Sequence, residues 1–374
     1  MDAKFLEHFS GIEDPRIERR KRHELLDILF LSVCAVLAGA DGWEAIEDFG
    51  HTKLQWLRKY VPLNNGIPRH DTIARVLCRL DPQALQSSFI GWMQACVQAV
   101  GGQVVAIDGK TVRRSFDTAS RKHSLHLVSA WAVGHGVVLG QVKTEAKSNE
   151  ITAIPALLEL LELKGCIVTL DAMGCQKAIA AKIREKKADY VLVLKANQEG
   201  LHEQVEEFFS TARRSGFKGV KHEYVEQTEG GHGRVEVRRC WQSPHIEYLQ
   251  GHGQWAGLKS IALVESERHS NGKVSVERRY YLSSLKLDAQ ALGQAVRAHW
   301  GIENSLLWAL DVTYREDDSR IRRGHAAENF STLRRLTLNL LKQETTRPLS
   351  QRKKRMVCGW DDDYREKVLY GRNL

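Results

Sequence analysis

Between residues 102 and 197 the chain follows one grammar, three apolar β-branched runs in succession and then runs that alternate with helical stretches. "QVVAIDG", "SLHLVSAWAV" and "GVVLGQVKT" read as consecutive strands, the last two joined through Gly134 and Gly136. A helix over about 150–162 follows, then the strand "CIVTLDAMG", a helix over "QKAIAAKIREKK" and the strand "DYVLVLKAN". Strands this apolar need cover on both faces, and strands linked through helices pair in parallel, so the pattern calls for a mixed sheet with helices on either side.

Three β runs followed by α-β-α-β is also the order of the ribonuclease H-like fold. Two of these strands end on a charge: Asp108 in "VVAIDGKTVRRS" and Asp171 in "CIVTLDAMG" each close an apolar run and precede a small residue. An ionised carboxylate alone in an apolar interior is expensive, so each must be paired, solvated at an edge or bound to a cation. Strand ends in open α/β sheets lie beside the ligand crevice, and neighbouring strands would set the two aspartates side by side. Like charges so placed repel unless a divalent cation neutralises them. With no adjacent His or Cys, hard Mg2+ or Mn2+ suits the pair better than Zn2+. Taken singly, either aspartate also reads as a helix cap or turn residue.

A third carboxylate stands in "DAQALGQAVRAHWGIENSLLWALD". Read as one helix with Asp288 near its cap, the segment puts Leu292, Val296, His299, Glu303, Leu306 and Leu310 on a single face. Glu303 then falls inside the stripe that packs on the sheet, either as a metal ligand or in a buried pair with Arg278 or Arg279. Asp311, Glu316 and Asp317 are rival third carboxylates, placed lower because a turn separates Glu316 and Asp317 from the stripe.

The stretch between Asp171 and Glu303 is longer than the remaining fold needs, so an insertion is expected at 218–285. Its strands read "HEYVEQTE", "GRVEVRRCWQ", "LKSIALVESERH" and "SVERRYYLSSL". "GGHGR" makes a hairpin tip, and His232, Arg234, Arg238, Arg239 and Trp241 are candidates for phosphate contact or base stacking, although alternating Arg and Val also describes any half-exposed strand. Lys195 and Asn197, at the end of "DYVLVLKAN", are edge-strand polar residues or phosphate ligands.

Residues 1–95 read as short helices with Arg16, Arg19, Arg20, Lys21, Arg22, Arg69, Arg75 and Arg79 exposed among them. They form a helix-turn-helix-like DNA-binding module or a helical cap with a basic surface. Near the carboxyl end, "RIRRGHAAENFSTLRRLTLNLLKQ" is a basic turn entering an amphipathic helix, and "QRKKRM" is a further basic run in a tail over 346–374. Arg320, Arg322 and Arg323 follow the Glu303 helix closely enough to hold a DNA backbone, against the reading of such runs as solvated surface.

The net charge of +9 suits an anionic partner such as nucleic acid. The longest apolar run, 28–40, is shorter than the roughly 18 residues a bilayer span needs, and the amino terminus lacks a signal-peptide pattern. A soluble, intracellular protein is expected, with no membrane partner. The 7 cysteines contain no C-x-x-C pair, which favours reduced thiols over disulfides or a zinc site.

The motifs together resemble the insertion-sequence transposases of the Asp-Asp-Glu type, and within them the H-repeat-associated group. The resemblance runs through "DPRIERRKRHELLDILFLSVCAVLAGADGWEAIEDFG", "GIPRHDTIARVL", "AIDGKTVRRS", "VTLDAMGCQ", "DYVLVLKANQ", "GGHGRVEVRR" and "HWGIENSLLWALDVTYREDDSRIRRGHAAENFSTLRRLTLNLL". It implies a ribonuclease H-like core over 96–217 and 286–345, interrupted by the β-rich insertion and preceded by a helical DNA-binding domain. It implies a catalytic, metal-holding triad of Asp108, Asp171 and Glu303 with two Mg2+ or Mn2+ ions. Related transposases carry a Tyr and an Arg before that glutamate and a Lys after it; Val296, His299 and Leu310 stand there in this chain. The implied partner is double-stranded DNA, both element ends and target. Lys110, Arg113, Arg114 and His299 join the basic residues above as candidate contacts, in a homodimer acting in the bacterial cytoplasm on the nucleoid. The implied reaction is metal-dependent phosphodiester cleavage and strand transfer. A nuclease of the same fold without strand transfer, and an inactive or regulatory DNA-binding relative, are the alternatives.

Overall fold

A computed structural model describes residues 3–96, 102–116, 123–144, 150–231, 234–270 and 272–371. Five helices come first: α1 (Ala3–Phe9), α2 (Leu25–Leu37), α3 (Trp43–Leu57), α4 (His70–Arg79) and α5 (Pro82–Cys96). Strands β1 (Val104–Val112), β2 (Leu125–Ala132) and β3 (Val137–Lys143) follow, then α6 (Glu150–Leu160), β4 (Ile167–Leu170), α7 (Lys177–Glu185), β5 (Asp189–Leu194) and α8 (Glu199–Arg214). Next are β6 (Glu223–Gly231), β7 (Arg234–Ser243), β8 (Ser260–Ser270), β9 (Lys273–Ser283) and α9 (Ala289–Gly301). A π-helical turn (Ile302–Leu307), α10 (Trp308–Val312), α11 (Ala326–Gln343), α12 (Gln351–Trp360) and α13 (Asp362–Tyr370) complete the chain.

The strands hydrogen-bond in the order β3-β2-β1-β4-β5-β9-β8-β7-β6. β1, β4 and β5 are parallel, while β2 and β3 form an antiparallel hairpin. The run β3-β2-β1-β4-β5 is the ribonuclease H-like arrangement that the strand and helix grammar predicts. The four strands expected within 218–285 form, and β9 bonds antiparallel to β5 from Val191↔Ser283 to Leu194↔Tyr280. The insertion therefore continues the core sheet, because the free edge of β5 is a row of unpaired N–H and C=O groups that a further strand satisfies.

The chain separates into two compact units, one of Met1–Gln98, Gly109–Lys147 and Glu303–Leu374, the other of Ala99–Asp108 and Ser148–Ile302. In the first unit α2, apolar nearly all round, is buried all round. α11 departs from the amphipathic expectation, because many of its polar residues are buried too, two of them on specific backbone partners. The Asn339 amide exchanges two 2.8 Å hydrogen bonds with the Val138 backbone, closing the outer edge of β3. Asn329 donates to the Leu77 and Leu80 carbonyls at 2.8 and 2.9 Å, two acceptors that the end of α4 leaves open.

Two basic stretches read as solvated are partly internal. Arg355, 6% exposed, donates to the Val36, Ala40 and Thr313 carbonyls, so it caps the end of α2. Arg16, expected among the exposed cations, is folded onto Asp14 and the His23 carbonyl. In the second unit, Leu292, Ala295 and Val296 of α9 pack with Val191, Val193, Cys240, Ala262, Val264 and Tyr281 of the sheet.

Candidate active site

Register brings the two aspartates together. β1 pairs with β4 in parallel from Val104↔Ile167 to Ile107↔Leu170, and Asp108 and Asp171 are the next residue on each chain. Neighbouring strands run about 4.8 Å apart, so both carboxylates start from adjacent backbone positions at the carboxyl edge of the parallel strands. The sequence reading is corrected in one respect: β1 does not finish on Asp108 but continues to Val112. Only its pairing with β4 stops there, because β4 turns away at Asp171.

That turn is tight. The Asp171 carboxylate accepts the N–H groups of Met173 and Gly174 at 3.0 and 3.2 Å, and a Cβ on Gly174 would lie 2.9 Å from the Cβ of Leu170. Burial pushes the Asp171 carboxyl above its ordinary pKa and the Glu150 charge adds to this, against the two backbone N–H groups and the Lys195 charge. Asp171 has no ion-pair partner among the described residues. Two carboxylates side by side, one of them destabilised by burial, form a hard oxygen donor set that a divalent cation fits. Glu150, at the start of α6, carries no signal in the sequence that would have drawn it to this edge.

Lys195 and Asn197 are exposed just beyond β5, and the Asn197 amide ties its loop to the β4 turn through the Ala172 carbonyl at 2.6 Å. His299, on α9, meets Thr169 of β4, two residues before Asp171, with Nδ1 2.9 Å from the hydroxyl. Burial first, and then the Arg279 charge, push its imidazole down to about 4, so His299 is neutral at physiological pH. The sequence stripe placed His299 on the packed face but gave no sign of Thr169 as its partner.

Glu303 is not where an unbroken helix would put it. The π turn of Ile302–Leu307 adds a residue to the helical repeat, and Ile302, Leu306, Ala309 and Leu310 become the buried face while Glu303 is exposed. The alternative of a buried pair with Arg278 or Arg279 is also corrected: Arg278 binds Glu265 at 2.7 Å, and Arg279 binds Glu277 and lies over the Trp300 ring. Glu316, further along, is the fully buried one of the two, 0% exposed, 2.9 Å from Arg335 and 3.9 Å from Arg334. Burial pushes its carboxyl up, but Arg335, Arg334 and the Ser331 hydroxyl outweigh this and hold it below its ordinary pKa. Among the described residues no group of three or more His, Cys, Asp or Glu is gathered closely enough to hold a metal ion.

The other predicted contacts fall into two groups. Lys110 points inward, 7% exposed, between Asp311 at 2.6 Å and Asp317 at 3.2 Å. Arg238 is held by Glu229 and Glu236, Arg239 by Glu226 and Glu267, so much of the alternating charge in β6–β8 is spent on cross-strand pairs. Trp241 is 9% exposed under Arg213 and beside Tyr224, with little face left for a base. Arg113, Arg114 and Arg234 remain substantially exposed despite loose pairing with Asp317, Asp318 and Glu236. Arg320 and Arg323 are exposed, and Arg322 lies over Phe116 and donates to the Arg114 carbonyl. His232 lies outside the described residues.

The sheet is ribonuclease H-like in strand order, and its β1–β4 register sets Asp108 and Asp171 at the carboxyl edge of the parallel strands. The chain belongs to the DDE transposase family: the family described as "Transposase DDE domain" matches residues 100–340, and "DDE_Tnp_1-associated" matches residues 6–93. It is 49% identical over 368 residues to "Putative transposase YncI" of Escherichia coli O157:H7, covering 97% of this chain and 94% of that one. It is 42% identical over 381 residues to "H repeat-associated putative transposase YhhI" of Escherichia coli strain K12, covering 99% of both. A piggyBac transposase synaptic complex with hairpin DNA superposes with a TM-score of 0.46 at 13% identity, covering 99% of this chain and 78% of that one. No helix among the described residues is long and apolar enough to cross a membrane.

Proposed function

We propose that this chain is an active DNA transposase that cleaves phosphodiester bonds at element ends and joins the freed 3′-hydroxyl to target DNA. The observation that carries the reading is the registered pair Asp108 and Asp171 in a chain of this family. These two aspartates and Glu303 would hold two divalent ions, Mg2+ or Mn2+. When bound, such ions supply Lewis acidity to the attacking and leaving oxygens of an in-line displacement at phosphorus. The chain's own part would be to hold Asp108 and Asp171 at neighbouring strand ends, a role that the β1–β4 register and the Gly174 turn support, and to hold DNA against them. His299, neutral and fixed by Thr169, contributes a hydrogen bond instead of a charge. Arg113, Arg114, Lys195, Asn197, Arg234, Arg320, Arg322 and Arg323 are the proposed backbone contacts. An element has two ends, so two copies of the chain, one at each, form the proposed assembly, working in the bacterial cytoplasm on the nucleoid.

The test is incubation of the full chain with duplex carrying a candidate element end, a target plasmid and Mg2+, followed by mapping of nicks and joined products. Nicks at the element boundary together with strand-transfer products are expected. Nicks alone would reduce the chain to a nuclease, and DNA binding with no metal-dependent cleavage would make it an inactive binder.

A further inference from the structure

The first unit contains a cleft of about 1140 Å3 that joins two basic stretches the sequence gives no reason to place together. One wall is α4, where Arg75 and Arg79 stand one helical turn apart; the other is the loop of Arg320 and Arg323. All four side chains are exposed and none makes an ion pair among the described residues. The acids along the cleft do not match them. Asp41 is taken by Arg355 at 2.8 Å, which leaves Glu44 and Asp71 against four guanidiniums.

The two walls are locked together. Gly324 has φ of +51°, and a Cβ there would lie 2.5 Å from the Cys78 carbonyl oxygen, so the loop lies on the end of α4 as only glycine allows. The His325 N–H donates to that same carbonyl at 3.0 Å, and Asn329 holds the Leu77 and Leu80 carbonyls. The juxtaposition of an amino-terminal helix with a loop some 240 residues later is therefore built into the backbone.

We propose that this cleft is a DNA-backbone site in its own right, in which Arg75 and Arg79 of α4 act together with Arg320 and Arg323 on the phosphates of one strand of duplex DNA. Guanidiniums left unpaired on an open surface are the side chains best matched to phosphate oxygens. Their spread along two walls of a wide cleft suits a polyanion, whereas a compact anion needs donors converging on one point. The inference rests on the reading of the chain as a DNA-acting protein and adds α4 to its contact surface.

The experiment measures affinity of the full chain for an element-end duplex across a salt series, with wild type beside Arg75→Gln/Arg79→Gln/Arg320→Gln/Arg323→Gln. Loss of four phosphate contacts is expected to lower the magnitude of the log–log salt slope by about 3–4, at roughly 0.9 per contact, with at least about a tenfold loss of affinity at low salt. A control with the same charge change off the cleft, Lys59→Gln/Lys164→Gln/Arg352→Gln/Lys353→Gln, is expected to lower the slope by less than about 1. If the quadruple variant melts early, the pairs Arg75/Arg79 and Arg320/Arg323 are tested separately, each expected to remove about half of that change. A slope unchanged in the cleft variants, or lowered equally in the control, overturns the cleft and leaves the transposase reading standing. A wild-type chain without DNA affinity overturns both.

Discussion

Glu316 and Asp171 are two carboxylates whose surroundings treat their charge differently. Glu316, in the first unit, is fully enclosed and is met by Arg335, Arg334 and Ser331, which together more than repay its burial. Asp171, in the second, meets two backbone N–H groups and no ion-pair partner among the described residues, and its carboxyl is left above the ordinary range. Breaking a buried pair leaves an uncompensated charge and is costly, so a carboxylate in the first situation is part of the fold. A carboxylate in the second carries a desolvation cost that its neighbours do not offset, which makes it a candidate for binding a cation.

The largest effect should come from Asp108 and Asp171. Asp108→Asn and Asp171→Asn are expected to reduce Mg2+-dependent cleavage to background while affinity for an element-end duplex stays within about twofold, since each removes charge and little volume. Cleavage retained in both variants would remove the aspartates from the site. Next comes the contrast between the two glutamates. Glu316→Gln strands Arg335 in the interior and should cost about 3–5 kcal/mol in denaturant unfolding. Glu303→Gln, at an exposed position, should leave stability within about 0.5 kcal/mol and abolish cleavage. An unstable but cleaving Glu303 variant would return it to a structural role.

A third outcome concerns acid. Glu344 is pushed up by burial, but Thr346, Tyr364 and Lys354 outweigh this and bring it from 4.5 down to about 2. A carboxyl depressed in the folded state stabilises above its unfolded pKa, and that contribution fades as pH falls from 4.5 towards about 2. Glu316 acts in the same direction. Acid titration of circular dichroism should show stability falling through that window, with a flatter profile in Glu344→Gln; an identical profile would deny Glu344 the role. The smallest effect is a gain: without divalent ions, Asp171→Asn should unfold about 0.5–1 kcal/mol later than wild type. Adding Mg2+ should raise the melting temperature of wild type more than that of the variant, and an equal response in both would separate Asp171 from the ion.

Strand and helix boundaries in the core were readable because apolar runs, glycines and 3.6-residue periodicity are local signals. Asp108 and Asp171 were readable as a pair because two adjacent parallel strands ended their shared ladder on the same residue type. Glu303 was misplaced because periodicity assumes one continuous helix, and nothing local in "GIENSLL" announces the π turn that shifts the phase. The basic runs were misread for a related cause. Whether Arg335 or Arg355 faces water depends on Glu316 or on the carbonyls that end α2, and composition is blind to partners brought in from elsewhere in the chain.

The sequence by itself determined the mixed α/β core and the transposase family and marked two strand-end aspartates, because each is written in residues close together or in a motif that survives as a string. Tertiary structure alone decided that the inserted strands extend the sheet from β5, that Glu316 is buried while Glu303 is exposed, and that Arg75 and Arg79 share a cleft with Arg320 and Arg323. The reason is common to all three: hydrogen bonding at a free sheet edge, burial of charge and accumulation of like charge depend on distances in space, and a one-dimensional pattern carries those distances only within a turn or a strand.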